Sequence, residues 1–279
     1  MPHPIAAVAQ FCATSAIALN RQICTDLVVR AARHGAKMVF MPEASDFIAE
    51  NKEDTVSLTT DLDGSPFLQE LQKAAKDNEI WVSVGVHEKS DILNRIYNTH
   101  VVIDACGEIV STYRKLHLFD VDIRGGPRLM ESDTTIGGKD VHQPICTPLG
   151  MVGLQICYDI RFAELAISQR RRGADILTYP SAFTVKTGAA HWEPLLRARA
   201  IETQTYVIAS AQRGQHNPKR ESYGHAMIVD PWGTVVASCA ESEEPSLAFA
   251  PVDLEFLNKL RMDMPVMGHR RYDVYHDLT

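Results

Sequence analysis

The chain has 279 residues, and no apolar run in it approaches the roughly 18–20 residues that span a bilayer. Its six cysteines, Cys12, Cys24, Cys106, Cys146, Cys157 and Cys239, are scattered, with no Cys-x-x-Cys pair and no Asn-x-Ser/Thr acceptor nearby or elsewhere. That usage favours reduced thiols in a cytoplasmic compartment over a secreted disulfide framework. A basic excess is missing too: the net charge is −7, which argues against a nucleic-acid or anionic-membrane partner. There is no Ser-Ser pair, so the Ser-Ser-Lys amidases are excluded. His87-Glu88 lacks the second histidine of a zinc-hydrolase helix, and Gly137-Gly138-Lys139-Asp140 lacks the upstream glycine and hydroxyl of a phosphate loop. Met1-Pro2-His3-Pro4 leads straight into an apolar strand pattern, so no targeting segment is expected there.

What is present is an alternation of strands and helices. Ile5–Gln10 reads as a buried strand, 17–34 as an amphipathic helix closed by Gly35, and Lys37–Met41 as a second strand stopped at Pro42. A helix is predicted over 66–78 and a strand over 80–86, followed by a hairpin whose arms, 97–104 and 108–113, flank Ala105-Cys106-Gly107. Further strands are predicted over 151–156, 176–179, 206–211, 224–229, 234–239 and 247–252, with helices near 163–172 and 189–203. Asp230-Pro231-Trp232-Gly233 supplies turn chemistry between two of these strands. With no linker or low-complexity stretch, one domain over 1–279 is expected. Gly35-Ala36-Lys37-Met38-Val39-Phe40-Met41-Pro42-Glu43 resembles Gly173-Ala174-Asp175-Ile176-Leu177-Thr178-Tyr179-Pro180-Ser181. Two strand–helix–strand halves with face-to-face sheets would place Glu43 and Cys157 at one rim.

Cys157 ends an apolar strand just before a helix, where a tight turn presents a side chain and backbone N–H groups can face a developing oxyanion. A buried structural cysteine gives the same local pattern. Glu43 follows Met41-Pro42 at another strand end, and Lys115 lies in Tyr113-Arg114-Lys115-Leu116-His117-Leu118-Phe119. Together the three form a coherent set: an ammonium expected to lower the thiol pKa, and a carboxylate to take its proton and later activate water. A papain-type Cys-His protease would need an imidazole base, and the local signatures of that class are missing.

Pro42-Glu43-Ala44, the Tyr113–Phe119 block and Gln155-Ile156-Cys157-Tyr158-Asp159-Ile160-Arg161-Phe162 together resemble the three catalytic blocks of the nitrilase superfamily, in the family's order. The likeness continues through His191-Trp192-Glu193, Arg197–Glu202 and Tyr223-Gly224-His225 to Pro265-Val266 and His269-Arg270-Arg271. It implies a four-layer α-β-β-α sandwich, with Glu43 as general base, Lys115 as catalytic lysine and Cys157 as nucleophile. It further implies Glu131 as a second, supporting glutamate, the Tyr158 backbone N–H as an oxyanion donor, and no metal or organic cofactor. A homodimer is implied, with a C-terminal arm, about 262–279, at its interface. The stretch from Ala211 to His225 resembles the branch that hydrolyses deaminated glutathione to 2-oxoglutarate and cysteinylglycine. For such a small anionic amide, Arg161, Phe183, Lys186 and Arg213 are the substrate-binding candidates, with Arg161 alternatively paired to Asp159. The ω-amidases, N-carbamoyl amidases and true nitrilases share the same three residues, and an inactive scaffold is the reading from outside enzymology.

Overall fold

The computed structural model describes residues 3–122, 124, 128–242 and 244–275. The chain opens with β1 (Ile5–Phe11), α1 (Ile17–Arg33) and β2 (Ala36–Phe40). Gly35, at φ +79°, makes the left-handed turn that ends α1, a conformation glycine adopts without a Cβ penalty. A short exposed helix, α2 (Lys52–Leu58), is capped by the Asn51 side chain, which accepts from the Asp54 N–H. In α3 (Pro66–Asp77) Ser65 is the cap, Pro66 sits in the first turn, and Phe67, Leu68, Leu71 and Ala74 form the buried stripe.

Next come β3 (Trp81–Lys89), β4 (Ile96–Ile103) and β5 (Ile109–Arg114), an antiparallel run in the register Gly85↔His100 and His100↔Tyr113. A small pair, β6 (Asp120–Asp122) with β7 (Arg128–Met130), leads to β8 (Ile145–Thr147) and β9 (Gly150–Leu154). The second strand–helix–strand unit is β9, α4 (Ala163–Arg171) and β10 (Ile176–Thr178). Here Gly173, at φ +99°, repeats the part played by Gly35, which accounts for the sequence similarity of the two segments. α5 (Val185–Thr203), β11 (Tyr206–Ala209), β12 (Ala211–Asn217), β13 (Arg220–Tyr223), β14 (Met227–Val229), β15 (Val235–Ser238), β16 (Ser246–Pro251) and α6 (Leu254–Asp263) complete the order.

The first sheet runs β13-β12-β1-β2-β3-β4-β5, with β16 antiparallel to β1 as far as Gln10; the second runs β15-β14-β11-β10-β9-β8. Strand alternation divides the buried side chains of the first sheet between two faces. Ala7, Ala9, Phe11, Val39 and Met41 pack on Leu27, Val28 and Ala31 of α1 and on Phe67, Leu68 and Leu71 of α3. Ala6, Val8, Met38 and Phe40 join Val152, Leu154 and Ile176 of the other sheet, in a core that continues to Ala166 of α4 and Trp192, Leu196 and Ala200 of α5. The result is the α-β-β-α sandwich that the resemblance implies.

Several boundaries differ from the sequence reading: the strand expected over 224–229 begins only at Met227 and that over 151–156 ends at Leu154. The apolar run 206–211 is not one strand: β11 ends at Ala209 in the second sheet, and β12 begins at Ala211 in the first. The helix expected from 189 starts one turn earlier, at Val185. After α6 a short 3-10 turn, Val266–His269, precedes an exposed tail in which Val274 is 70% accessible. Residues 276–279 of the expected arm lie outside the described residues.

Candidate active site

Glu43 sits just past the end of β2, where the chain turns sharply. Ala44 takes a left-handed φ of 55°, and the Ser45 N–H donates to the Gly85 carbonyl at 2.8 Å. A Cβ on Gly85 would come within 2.6 Å of the Glu43 Cα, so only glycine lets β3 approach so closely. The carboxylate is buried and has several donors. Its Oε1 accepts from Lys115 Nζ (3.0 Å) and Asn98 Nδ2 (2.8 Å), and its Oε2 accepts from the Ala182 N–H (2.9 Å). Gln212 Nε2 donates to the Glu43 carbonyl at 3.0 Å, and Ser210 Oγ to that of Met41 at 2.8 Å. The step from β11 to β12 therefore lies directly under this residue.

Lys115 follows the end of β5 and is buried. Its ammonium reaches Glu131 Oε2 at 2.9 Å and Oε1 at 3.2 Å, so it lies between two carboxylates. Glu131 is itself fixed by the Phe119 N–H at 2.7 Å and by Asn98 Nδ2 at 3.1 Å. Burial works to lower the lysine pKa, but the negative charges of Glu131 and Glu43 outweigh it and hold the group well above its ordinary value. Glu43 is governed by the same pair. Burial pushes its carboxyl up, yet Lys115 and the hydrogen bonds from Cys157 and Asn98 bring it below the usual range. Both groups are charged at neutral pH.

Cys157 stands at the head of a 3-10 turn, Cys157–Arg161, with a left-handed φ of 45°. Its N–H donates to the Pro180 carbonyl at 3.0 Å, while its thiol hydrogen-bonds to Glu43. The thiol pKa is pushed far up, first by burial and then by the Glu43 charge, with Lys115 opposing. The ammonium does act to lower this pKa, as expected from the sequence, but burial and the Glu43 charge beside the sulfur outweigh it. What the site holds is a neutral thiol on an ionised carboxylate.

Asp159 is the anchor of this turn and is fully buried. It accepts from the Ile156 N–H (2.9 Å), Tyr113 Oη (2.8 Å), the His117 N–H (3.1 Å) and His117 Nδ1 (2.7 Å). It therefore ties the cysteine turn to the segment carrying Lys115, and it is not the partner of Arg161. Arg161 instead meets His191 Nδ1 at 3.1 Å and lies 5.8 Å from the rings of both Tyr158 and Phe183.

These groups line a cleft of about 540 Å³ at the rim where the two sheets meet, and the shared rim expected for Glu43 and Cys157 is found there. Glu43, Lys115, Cys157, Glu131, Tyr158, Arg161 and Phe183 all line it. Lys186 and Arg213 do not. Lys186 is an exposed residue of α5, one position from the wall-forming Thr187. Arg213 runs beneath Gly224 and donates to the Tyr223 carbonyl at 2.8 Å, which binds the β12–β13 hairpin together. Four further cations line the rim: Lys52 and Arg128 are both paired with Asp133, and Lys219 and Arg220 share the rim with Glu50 and Glu221. Asn98 and Gln212 were given no role from sequence, and Asp159 was read only as an alternative partner of Arg161. A polar residue at an inward strand position is the one signal that could have flagged Asn98.

The sequence matches the carbon-nitrogen hydrolase family over residues 5–262, and the chain belongs to that family of enzymes. It is 51% identical over 273 residues to the probable hydrolase nit2 of Schizosaccharomyces pombe, covering 97% of this chain and 98% of that protein. To human deaminated glutathione amidase it is 49% identical over 279 residues, which cover 99% of this chain and 84% of that one. Among solved structures, Saccharomyces cerevisiae Nit3, a member of branch 10 of the nitrilase superfamily, superposes with a TM-score of 0.84 at 30% identity, covering 97% of each chain.

Proposed function

We propose that this chain is an amidase that cleaves deaminated glutathione to 2-oxoglutarate and cysteinylglycine through a cysteine thioester. The observation that carries the reading is the Cys157 thiol hydrogen-bonded to Glu43, with Lys115 Nζ held between Glu43 and Glu131. Sulfur attacks the amide carbonyl as Glu43 takes its proton, and the tetrahedral oxyanion is met by Lys115 and the Tyr158 N–H. Glu43 returns the proton to the departing amine. A water deprotonated by the same carboxylate then opens the thioester, and Glu43 passes that proton to the departing Cys157 sulfur as the acid is released. Glu131 keeps Lys115 charged and in place.

The substrate assignment is supported by the similarity to human deaminated glutathione amidase and by the cations around the cleft, which suit an anionic amide. Two further parts of the reading are a cytoplasmic site of action and a homodimer. The exposed Met262, Val274 and Tyr275 of the C-terminal segment supply apolar surface for the latter.

The test is a side-by-side turnover assay with deaminated glutathione, 2-oxoglutaramate, an N-carbamoyl amino acid and a simple nitrile, read as ratios of kcat/KM. A large preference for the first, with 2-oxoglutarate released, is expected. A preference for 2-oxoglutaramate would move the chain to the ω-amidases.

A further inference from the structure

His87 has a rigidly built setting that the proposed chemistry does not use. It lies on β3 directly opposite Asn98 of β4. Opposed residues of an antiparallel pair project to the same face with Cβ atoms about 5 Å apart. Asn98 touches both Glu43 (2.8 Å) and Glu131 (3.1 Å), so the imidazole stands one strand away from both carboxylates.

The ring is held on two sides. Asp46 Oδ1 meets Nδ1 at 3.0 Å, while Asp46 Oδ2 accepts from the His87 backbone N–H at 2.9 Å. Phe47 stacks on the ring at 4.3 Å and 20°. Asp46 is buried, and its carbonyl accepts from the buried Asn20 at 2.8 Å. Bonding to a carboxylate requires the hydrogen on Nδ1, which leaves Nε2 as the free edge. Among the described residues Nε2 has no hydrogen-bond partner, although the side chain is only 16% exposed and the residue lines the cleft.

Packing on Phe47 needs only an aliphatic group and satisfying the buried Asp46 needs only Nδ1, so neither structural role uses Nε2. A buried carboxylate that fixes the tautomer and aims Nε2 at the cleft prepares a polar contact with a ligand. The cleft has two walls. The wall from the second sheet and α5 carries Arg161 and Phe183; the wall from the first sheet carries His87 and Asn98. A substrate with a carboxylate on either side of its amide needs one polar handle from each wall.

We infer that His87 is a substrate-recognition residue whose Nε2 binds a carboxylate oxygen of the amide substrate, with Asp46 as its positioning residue. In that complex the ring donates from both nitrogens, Nδ1 to Asp46 and Nε2 to the substrate oxygen, and so bridges the two carboxylates. This rests on the amidase reading above.

The experiment compares wild type, His87→Leu, His87→Gln and Asp46→Asn on deaminated glutathione, 2-oxoglutaramate and the uncharged butyramide. In His87→Leu, the ratio of kcat/KM for deaminated glutathione over butyramide should fall about tenfold or more, carried mainly by KM. His87→Gln, whose amide can still donate, should recover part of the ratio, and Asp46→Asn should lose a smaller part. A matching loss on 2-oxoglutaramate places the contacted carboxylate on the acyl half; a loss confined to deaminated glutathione places it on the cysteinylglycine half. An unchanged ratio in a folded His87→Leu protein, or a fall in kcat at constant KM, would overturn the role of His87. A wild type that cleaves butyramide but neither acid amide would instead sink the proposed substrate class, on which this role rests.

Discussion

Three side chains converge on one small volume, and their charges decide the chemistry. With Glu43 held below the usual carboxylate range and Lys115 well above its own, both stay ionised from mildly acidic to mildly alkaline solution. Protonating Glu43 removes the base, so the acid limb of kcat/KM should lie below an ordinary glutamate's pKa. On an uncharged amide, which makes no contact with His87, the profile should be flat between about pH 6 and 8. A limb near neutrality would show that another group is the base. Because burial and Glu43 keep the Cys157 thiol protonated, alkylation of the resting enzyme by a small haloacetamide should be slower than that of an ordinary free thiol. Cys157→Ala should abolish turnover with the circular dichroism spectrum unchanged; substantial residual amidase activity would remove the proposed nucleophile. Lys115→Met should lose at least ~10² in turnover, comparable to deleting an oxyanion donor. A near-normal rate would return the lysine to a purely structural place. Glu43, Lys115 and Cys157 were legible because their ionisable types fall at strand ends within distinctive blocks. Lys186 and Arg213 misled because a positive charge in sequence says nothing of direction: one faces solvent and the other is spent on the Tyr223 carbonyl.

The elements explain how such a tight cluster is held. β2, β5 and β9 each end at the same rim, and Asp159 bolts the turn after β9 to the segment after β5 through Tyr113 and His117. Gly85 on β3 sets the height of Glu43. Gly85→Ala would drive a methyl to 2.6 Å from the Glu43 Cα. We expect a destabilisation of about 1–3 kcal/mol, together with a loss of turnover of roughly 10² from misplacing the carboxylate. Thermal melts and steady-state kinetics on one preparation would check both; a fully active, equally stable variant would contradict the close approach. Most strands and the long helices were readable from apolar period and from Gly35, Gly173 and Pro66. The exposed α2 was not, since it buries no residue and so has no periodicity to show. Nor was the break at Ser210: an apolar run looks the same whether it stays in one sheet or changes sheets, and only the pairing partners tell the difference.

At the scale of the whole molecule, the exposed apolar side chains of the C-terminal segment lead to an oligomerisation experiment. Sedimentation should give a particle of twice the 31.0 kDa chain mass, and removal of residues 262–279 should shift it toward the monomer. A full-length monomer at micromolar concentration would refute the proposed dimer. The first sheet also has a consequence for synthesis. β1 is paired along Ile5–Val8 by β2, made soon after it, but its other edge waits for β16 and its last residues, Gln10 and Phe11, wait for β12, both far along the chain. At about 5–20 residues per second, roughly 10–50 s pass between the emergence of Ile5–Phe11 and of its partner Ser246–Pro251. Throughout that interval the nascent chain carries an apolar strand with an open edge, the form most apt to pair with a neighbour on the same polysome. The N-terminal half is therefore the part of this protein that most needs a chaperone, and ribosome-bound chains halted before residue 246 should be markedly more aggregation-prone than those halted after the sheet can close.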